Sequence, residues 1–307
     1  MKPLSRVMAG LLHGRPYDRS ATSGIAKLSP DQRVLLDQWL PGAVVEDDHS
    51  WGLVATTVLE LSHRGIRLIV KAGGADDHHI AREIHAHLHW LGPWTATGRA
   101  PHLEHFDTAA RLLVAGYLPG DLVLGSEHAQ DPETYRQAGE LLAILHGQLA
   151  VTDDDYEARE NNKSLGWLDK PHRIAPPVED ELRAEIDSWP TPPAVLVPTH
   201  GDWQPRNWLI HHGVVSVIDL GRAALRPAMS DFARLAAQEF RRDPELEAAF
   251  LHGYGADPRE PAAWHRNQVR EAIGTAVWAH QVGDESFERQ GHRMIAAALS
   301  GIEPRGH

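Results

Sequence analysis

Two rhythms of apolar positions run along the chain. Residues 53–61 and 66–71 are rich in β-branched types, and Ser62-His63-Arg64-Gly65 lies between them. This pattern predicts two strands joined by a hairpin turn. The second strand sets Ile69 and Lys71 on one face and Leu68 and Val70 on the other. A helical rhythm takes over at residues 78–91, where Ile80, Ile84, Leu88 and Leu91 form one stripe and Glu83 lies beside it. Upstream, Ser29-Pro30-Asp31-Gln32 reads as a helix start with Ser29 as N-cap and Gln32 closing a capping box. Leu35, Leu36, Trp39 and Leu40 are that helix's apolar stripe, and Pro41-Gly42 stops it.

Residues 112–118 predict a strand that runs into the Pro119-Gly120 break. Asp131-Pro132 then starts a helix to about residue 149, with Tyr135, Ala138, Leu142, Leu145 and Leu149 inward. Residues 151–198 are less regular: an acidic run at 153–157, a proline-rich stretch, and a helix over about 178–189. Leu209-Ile210 and the run from Val214 to Ile218 flank His211-His212-Gly213, which predicts a second hairpin. After Asp231 the pattern is helical over 232–241, 245–254, 262–282 and 284–299. The order is therefore strand-rich first and mostly helical afterwards, with no internal repeat.

Composition narrows the class. The chain has 307 residues, 42% of them hydrophobic, which suits one large domain or two lobes. Cysteine is absent, which excludes disulfides, thiol catalysis and thiolate metal sites. No apolar run approaches a bilayer span. The stretch from Met1 to Leu12 is too short and broken for a signal peptide, so a cytoplasmic enzyme is expected. The formal net charge of −12 argues against nucleic-acid binding. It favours a cationic small-molecule partner through the field of the whole protein, unless the acidity serves solubility alone.

The chemistry concentrates in Thr199-His200-Gly201-Asp202-Trp203-Gln204-Pro205-Arg206-Asn207-Trp208, followed by Ile218-Asp219-Leu220-Gly221-Arg222. Asn207 lies five residues after Asp202 (207 − 202), and Asp219 twelve after Asn207 (219 − 207). Phosphoryl transfer needs two acids and an amide of this kind, one carboxylate to orient an attacking hydroxyl and an amide with a carboxylate to hold Mg²⁺ on a nucleotide. The predicted hairpin returns Asp219 beside Asn207, so two hard oxygen donors converge, as Mg²⁺ prefers.

This stretch resembles the aminoglycoside phosphotransferase family, small-molecule kinases related in fold to protein kinases. The resemblance implies an α+β, bilobal protein-kinase-like fold, with a strand-rich N-lobe over 1–115 and a mainly helical C-lobe over 116–307. It implies Asp202 as catalytic base, Asn207 and Asp219 as Mg²⁺ ligands, and His200 and Asp231 as braces of the catalytic loop. Lys71 on a strand and Glu83 on the next helix are in the order of the kinase ion pair that aims a lysine at the ATP phosphates; Arg82 could compete for that carboxylate. Ala115 and Tyr117 would lie at the hinge that meets adenine, and Ser50 in the phosphate loop Asp48-His49-Ser50-Trp51-Gly52. That loop departs from the family in carrying one glycine where a glycine-rich loop is usual.

The implied reaction moves the γ-phosphoryl group of ATP, with Mg²⁺, to a hydroxyl of a small molecule, an aminoglycoside-type antibiotic foremost. Macrolides, peptide antibiotics, choline, homoserine and sugars are the other acceptors, and a pseudokinase binding module is the non-catalytic alternative. Asp153, Asp155, Glu157, Glu271, Asp284 and Glu285 are candidate contacts to a polycation, with Trp278 as a stacking surface or a core residue. The resemblance leaves a monomer or weak dimer, with no nucleic acid and no membrane as partner. His78, His79, His85, His87 and His89 read as a solvated helix face, and His146 as a satisfied core histidine.

Overall fold

The structure, a computed structural model, describes residues 21–50 and 56–300. The N-terminal stretch, Trp51 and Gly52 lie outside the described residues. Two short helices open the fold, α1 (Ala21–Ala26) and α2 (Pro30–Trp39). The capping box at the start of α2 is formed: Gln32 N–H donates to Ser29 Oγ at 3.2 Å, and Ser29 N–H to Gln32 Oε1 at 2.9 Å.

An antiparallel sheet follows, with strands β1 (Val44–Asp48), β2 (Thr57–His63), β3 (Ile66–Ala72), β4 (Leu103–Asp107) and β5 (Leu112–Gly116). Its order is β1-β2-β3-β5-β4. Helix α3 (His79–His89) lies between β3 and the short α4 (Gly92–Thr95). It packs Ile80 and Ile84 on Leu113 and Ala115 of β5. The opposite face of the sheet buries Leu59, Leu61, Val70 and Val114 with Leu36 and Leu40 of the α2 region.

The remainder is mainly helical. It contains β6 (Asp121–Leu122), α5 (Pro132–His146), β7 (Val151–Asp153), α6 (Tyr156–Leu168), α7 (Pro176–Ser188) and β8 (Ala194–Thr199). The hairpin β9 (Trp208–His211) and β10 (Val214–Val217) follows, then β11 (Ala224–Arg226). Helices α8 (Ala233–Ala237), α9 (Glu239–Arg242), α10 (Pro244–Tyr254), α11 (Pro261–Val282) and α12 (Glu285–Leu299) complete it. Two three-stranded sheets, β10-β9-β6 and β11-β8-β7, carry the loops that matter below. α5 and α10 approach so closely that a Cβ on Gly139 or Gly253 would overlap the other helix's backbone. Among the described residues no helix is long and apolar enough to cross a membrane.

Several expectations need correction. Leu88 is 52% exposed rather than buried. Glu83 has turned into the buried face of α3, and that rotation carries Leu88 out to solvent. Leu149 is also exposed, because α5 stops at His146 and the residues beyond it leave the core. The stretch 151–198 holds three elements the pattern did not announce, β7, α6 and β8, in addition to the expected α7. The predicted helix over 232–241 is broken into a 3₁₀ turn (Ala228–Phe232), α8 and α9.

Candidate active site

β8 delivers the chain into the loop that holds Asp202. The Asp231 carboxylate organises this loop's backbone. It accepts from His200 N–H at 2.7 Å, from Gly201 N–H at 2.6 Å and from the His146 ring at 3.1 Å. Burial alone would raise this carboxyl, but the hydrogen bonds from the His146 ring and the His200 N–H help hold it below the usual carboxylate range. His146 is buried, and its other ring nitrogen meets Tyr254 Oη at 2.9 Å, as a satisfied core histidine would. His200 is fully buried. Its Nδ1 accepts from Asp202 N–H at 3.3 Å, which leaves Nε2 to donate to Ile218 O at 3.1 Å. Gly201 sits at φ +78°, and a Cβ there would overlap the carbonyl of Arg222. Trp203 and Trp208 form the buried floor with Trp94 and Tyr135.

The β9–β10 hairpin sets the second pair of groups. Val217 pairs with Trp208, and Ile218 N–H donates to Asn207 O at 3.0 Å. Asn207 and Asp219 therefore emerge at one end of the hairpin. Asn207 Nδ2 donates to Asp202 O at 2.7 Å and to Asp202 Oδ2 at 3.0 Å, so its Oδ1 is turned the other way. Asp219 has φ +66°, a left-handed backbone that a non-glycine residue adopts at a cost, and such strain gathers at functional sites. Its carboxylate is 53% exposed in the cleft. An amide oxygen and an open carboxylate are hard donors that fit Mg²⁺.

Lys71 bridges the two halves of the molecule. Its Nζ lies 2.7 and 2.9 Å from the two Glu83 oxygens, and 3.2 Å from Asp219 Oδ1. Burial would push the ammonium down, but Asp219 and Glu83 outweigh it and hold it above its usual range, so it is charged. Arg82 does not take the Glu83 carboxylate; it is exposed, and its charge faces Arg226. His79 Nδ1 meets Gly221 O at 2.8 Å, a second tie from α3 to the Asp219 loop.

The surroundings of Asp202 were not foreseen. Its two carboxylate oxygens receive four contacts. Gln204 Nε2 donates to Oδ1 at 2.6 Å, and Arg234 Nε lies 2.7 Å from that same atom. Arg206 Nη2 donates to Oδ2 at 2.5 Å, beside the Asn207 contact. Burial would raise this carboxyl, but Arg234, Arg206 and Arg222 hold it far below the usual range. A signal for these arginines does stand in the sequence. Each acid of the motif has an arginine one helical turn downstream: 206 − 202 = 4, 222 − 219 = 3 and 234 − 231 = 3.

The other expected residues are placed as follows. Ser50 Oγ accepts from Val58 N–H at 3.0 Å, and Ser50 N–H donates to Asp48 Oδ1 at 2.9 Å, which ties Ser50 to β1 and β2. Ala115 is buried in β5 between Ile69 and Leu103. Tyr117 donates its N–H to Arg67 O at 3.2 Å, and the Arg67 guanidinium lies 3.5 Å over its ring. Of the acids offered for a polycation, Glu157 is buried against Arg266 and Arg270 at 2.9 and 2.7 Å. Asp153 pairs with Arg159 at 2.6 Å, and Asp284 caps α12 through Phe287 N–H at 3.0 Å. Trp278 packs edge-on to Phe287 at 5.9 Å.

Comparison with known proteins gives a consistent result. The sequence profile of the phosphotransferase enzyme family matches residues 57–264. No curated protein sequence matches the chain. Among solved structures, the chain is similar to the aminoglycoside phosphotransferase APH(4)-Ia, at 12% identity and a TM-score of 0.63 over 93% of this chain and 100% of that one. It is similar to the choline kinase LicA from Streptococcus pneumoniae, at 14% identity and a TM-score of 0.62 over 89% and 100% of the two chains. It is also similar to APH(2″)-IIa in its gentamicin complex, at 15% identity and a TM-score of 0.59 over 90% and 99%. At these identities the structures speak for the fold.

Proposed function

The chain belongs to the phosphotransferase enzyme family and has the α+β, two-lobed fold of its small-molecule kinases; on that premise we propose that it transfers the γ-phosphoryl group of ATP to a hydroxyl of a small molecule. The observation that carries this reading is Lys71, bound at once to Glu83 of α3 and to Asp219 beyond the hairpin. One cation thus ties the sheet that would cradle a nucleotide to the loop that would hold its metal.

In this reading the lobes divide near residues 115 and 116, with adenine against the segment around Ala115 and Tyr117. Lys71, held by Glu83, neutralises charge on the phosphates, and Ser50 belongs to the loop that covers them. Asn207 and Asp219 hold Mg²⁺, which supplies further charge neutralisation when bound. Asp202 orients the acceptor hydroxyl and takes its proton late, and His200 with Asp231 keeps the loop in place. Catalysis by these groups is mainly positioning and electrostatics. A cytoplasmic enzyme remains the expected setting.

An aminoglycoside-type acceptor is supported by the ligands of structural neighbours, hygromycin B in one APH(4)-Ia complex and gentamicin in APH(2″)-IIa. The choline kinase among them keeps other small hydroxyl compounds in view. The test is Mg-ATP consumption across a panel of hydroxylated small molecules, with Asp202→Ala beside the native chain. Acceptor-dependent turnover that vanishes in the variant supports the reading. Near-normal turnover in Asp202→Ala would remove Asp202 as the base.

A further inference from the structure

Asp202 is fully occupied as it stands. A carboxylate offers about four lone-pair directions, and all are used by Gln204, Arg234, Arg206 and Asn207. An acceptor hydroxyl must reach one of these oxygens, so one donor has to leave. Arg206 is the donor best placed to do so. It is the more exposed of the two arginines on Asp202, at 36% against 19% for Arg234, and its single contact with Oδ2 needs only a side-chain rotation to open.

The same place is over-supplied with positive charge. Arg206, Arg222 and Arg234 all bear on Asp202. Among the described residues the Arg222 guanidinium makes no ion pair or hydrogen bond, while the carboxylates of Asp202 and Glu271 act on it from a distance. Burial first, with Arg234 and Arg206 beside it, pushes the Arg222 guanidinium below the usual range. Arg226 adds a further guanidinium, donating to the neutral oxygens Thr199 Oγ1 and Arg222 O at 3.0 Å each. A chain with a formal net charge of −12 thus surrounds its proposed base with cations. Local charge at contact distance outweighs a diffuse field that salt screens over about 8–10 Å.

We propose that the acceptor carries an oxyanion, a carboxylate or phosphate ester, beside the hydroxyl that is phosphorylated, and that Arg206, Arg222 and Arg234 bind it. This rests on the phosphotransferase reading above and sets an anionic acceptor in place of a polycation. Guanidinium groups suit such a group because their donor forks match carboxylate and phosphate oxygens. The oxyanion draws Arg206 off Asp202 and frees Oδ2. The acceptor hydroxyl gives its proton to that oxygen as its own oxygen bonds to the γ-phosphorus, and the bond from that phosphorus to ADP breaks. A polycation meets repulsion from the three guanidiniums and leaves Arg206 in place.

The test uses the full chain saturated with Mg-ADP, and inorganic phosphate is titrated into that complex by calorimetry at chloride-matched ionic strength. Phosphate is expected to bind the native complex and to bind about tenfold or more weakly in Arg222→Gln and Arg234→Gln, the scale of losing a charge-assisted contact. Arg234→Lys, which keeps the charge, recovers part of the loss, and an unchanged Mg-ADP affinity certifies that each variant is folded. Hydroxy acids and phosphorylated alcohols, assayed separately for ADP release, distinguish a carboxylate from a phosphate ester. Phosphate affinity equal in native and variant chains, or no phosphate binding to the Mg-ADP complex, overturns the inference and leaves the kinase reading intact. Turnover of hygromycin B or gentamicin by the native chain overturns it as well. Failure of Mg-ADP itself to bind would count against the kinase reading instead.

Discussion

Arg234 reaches out of α8 to place Nε 2.7 Å from Oδ1 of Asp202, so the carboxylate proposed as base is also the anion that holds a cluster of arginines together. Asp202→Ala therefore has two consequences. Acceptor phosphorylation falls by about 10² to 10⁴, the range for losing a positioned general base. The chain also loses roughly 1–3 kcal/mol of stability, because the half-buried Arg206 and Arg234 lose the carboxylate that pairs them. A coupled ADP assay and urea unfolding read the two separately. Mg-ATP affinity stays close to native, since Lys71 and Asp219 are untouched.

Asp231→Asn tests the brace of the catalytic loop. The amide keeps one oxygen and presents its NH₂ to one of the two backbone N–H donors, His200 and Gly201, that the native carboxylate satisfies at 2.7 and 2.6 Å. The expected loss is about 2–3 kcal/mol, the cost of leaving a buried donor unpaired. A fall in urea midpoint of that size with unchanged slope is the readout, and a midpoint within error of native contradicts the bracing role.

The left-handed backbone at Asp219 separates strain from chemistry. Asp219→Gly and Asp219→Ala both remove the carboxylate, so both lose Mg-ATP binding and turnover. The glycine variant is more stable than the alanine variant by about 1 kcal/mol, because only alanine pays the left-handed penalty. Equal melting temperatures would show that the strain is relaxed elsewhere in the loop.

Gly201→Ala is expected to be among the most damaging single-methyl additions in the chain. It combines φ +78° with a Cβ that overlaps the Arg222 carbonyl. A loss of roughly 2–4 kcal/mol follows, larger than conformational strain alone, since the obstacle is backbone and cannot rotate away. Thermal unfolding of the variant measures it.

His87 gives a pH dependence. Its ring nitrogens are buried with no hydrogen-bond partner. Burial first, then the charges of Lys71 and His102, lower its pKa to about 4 from 6.5. Below pH 6.5 the unfolded chain takes up a proton that the folded ring refuses until about pH 4, so stability is lost as pH falls through that window. The loss is roughly 3 kcal/mol once the pH has fallen through the whole window. Between pH 6.5 and about 4 the urea midpoint of the native chain should fall relative to that of His87→Leu, and parallel curves would exclude His87 as the cause.

Much of the site was legible in one dimension. The spacing of Asp202, Asn207 and Asp219 places three polar groups at the ends of one hairpin, and a hairpin is a short-range object whose closure depends on a turn. Lys71 and Glu83 were readable as a strand residue and a helix residue in the right order, and the structure joins them at 2.7 Å. The capping box at Ser29 and Gln32 formed as written, since caps involve residues three apart. Leu88 was misjudged because helical periodicity names a face without saying what else must share it. Glu83 had to face Lys71, and that requirement comes from the sheet.

The sequence by itself determined the family, the strand-then-helix order and the positions of the motif acids, because these rest on local periodicity and fixed spacing. Only the tertiary structure decided what surrounds Asp202. Arg206, Arg222 and Arg234 come from three separate segments and meet only when the hairpin closes and α8 joins the same core. Net charge summed along the chain is blind to that meeting, since electrostatic energy falls with distance and follows the folded arrangement of charges.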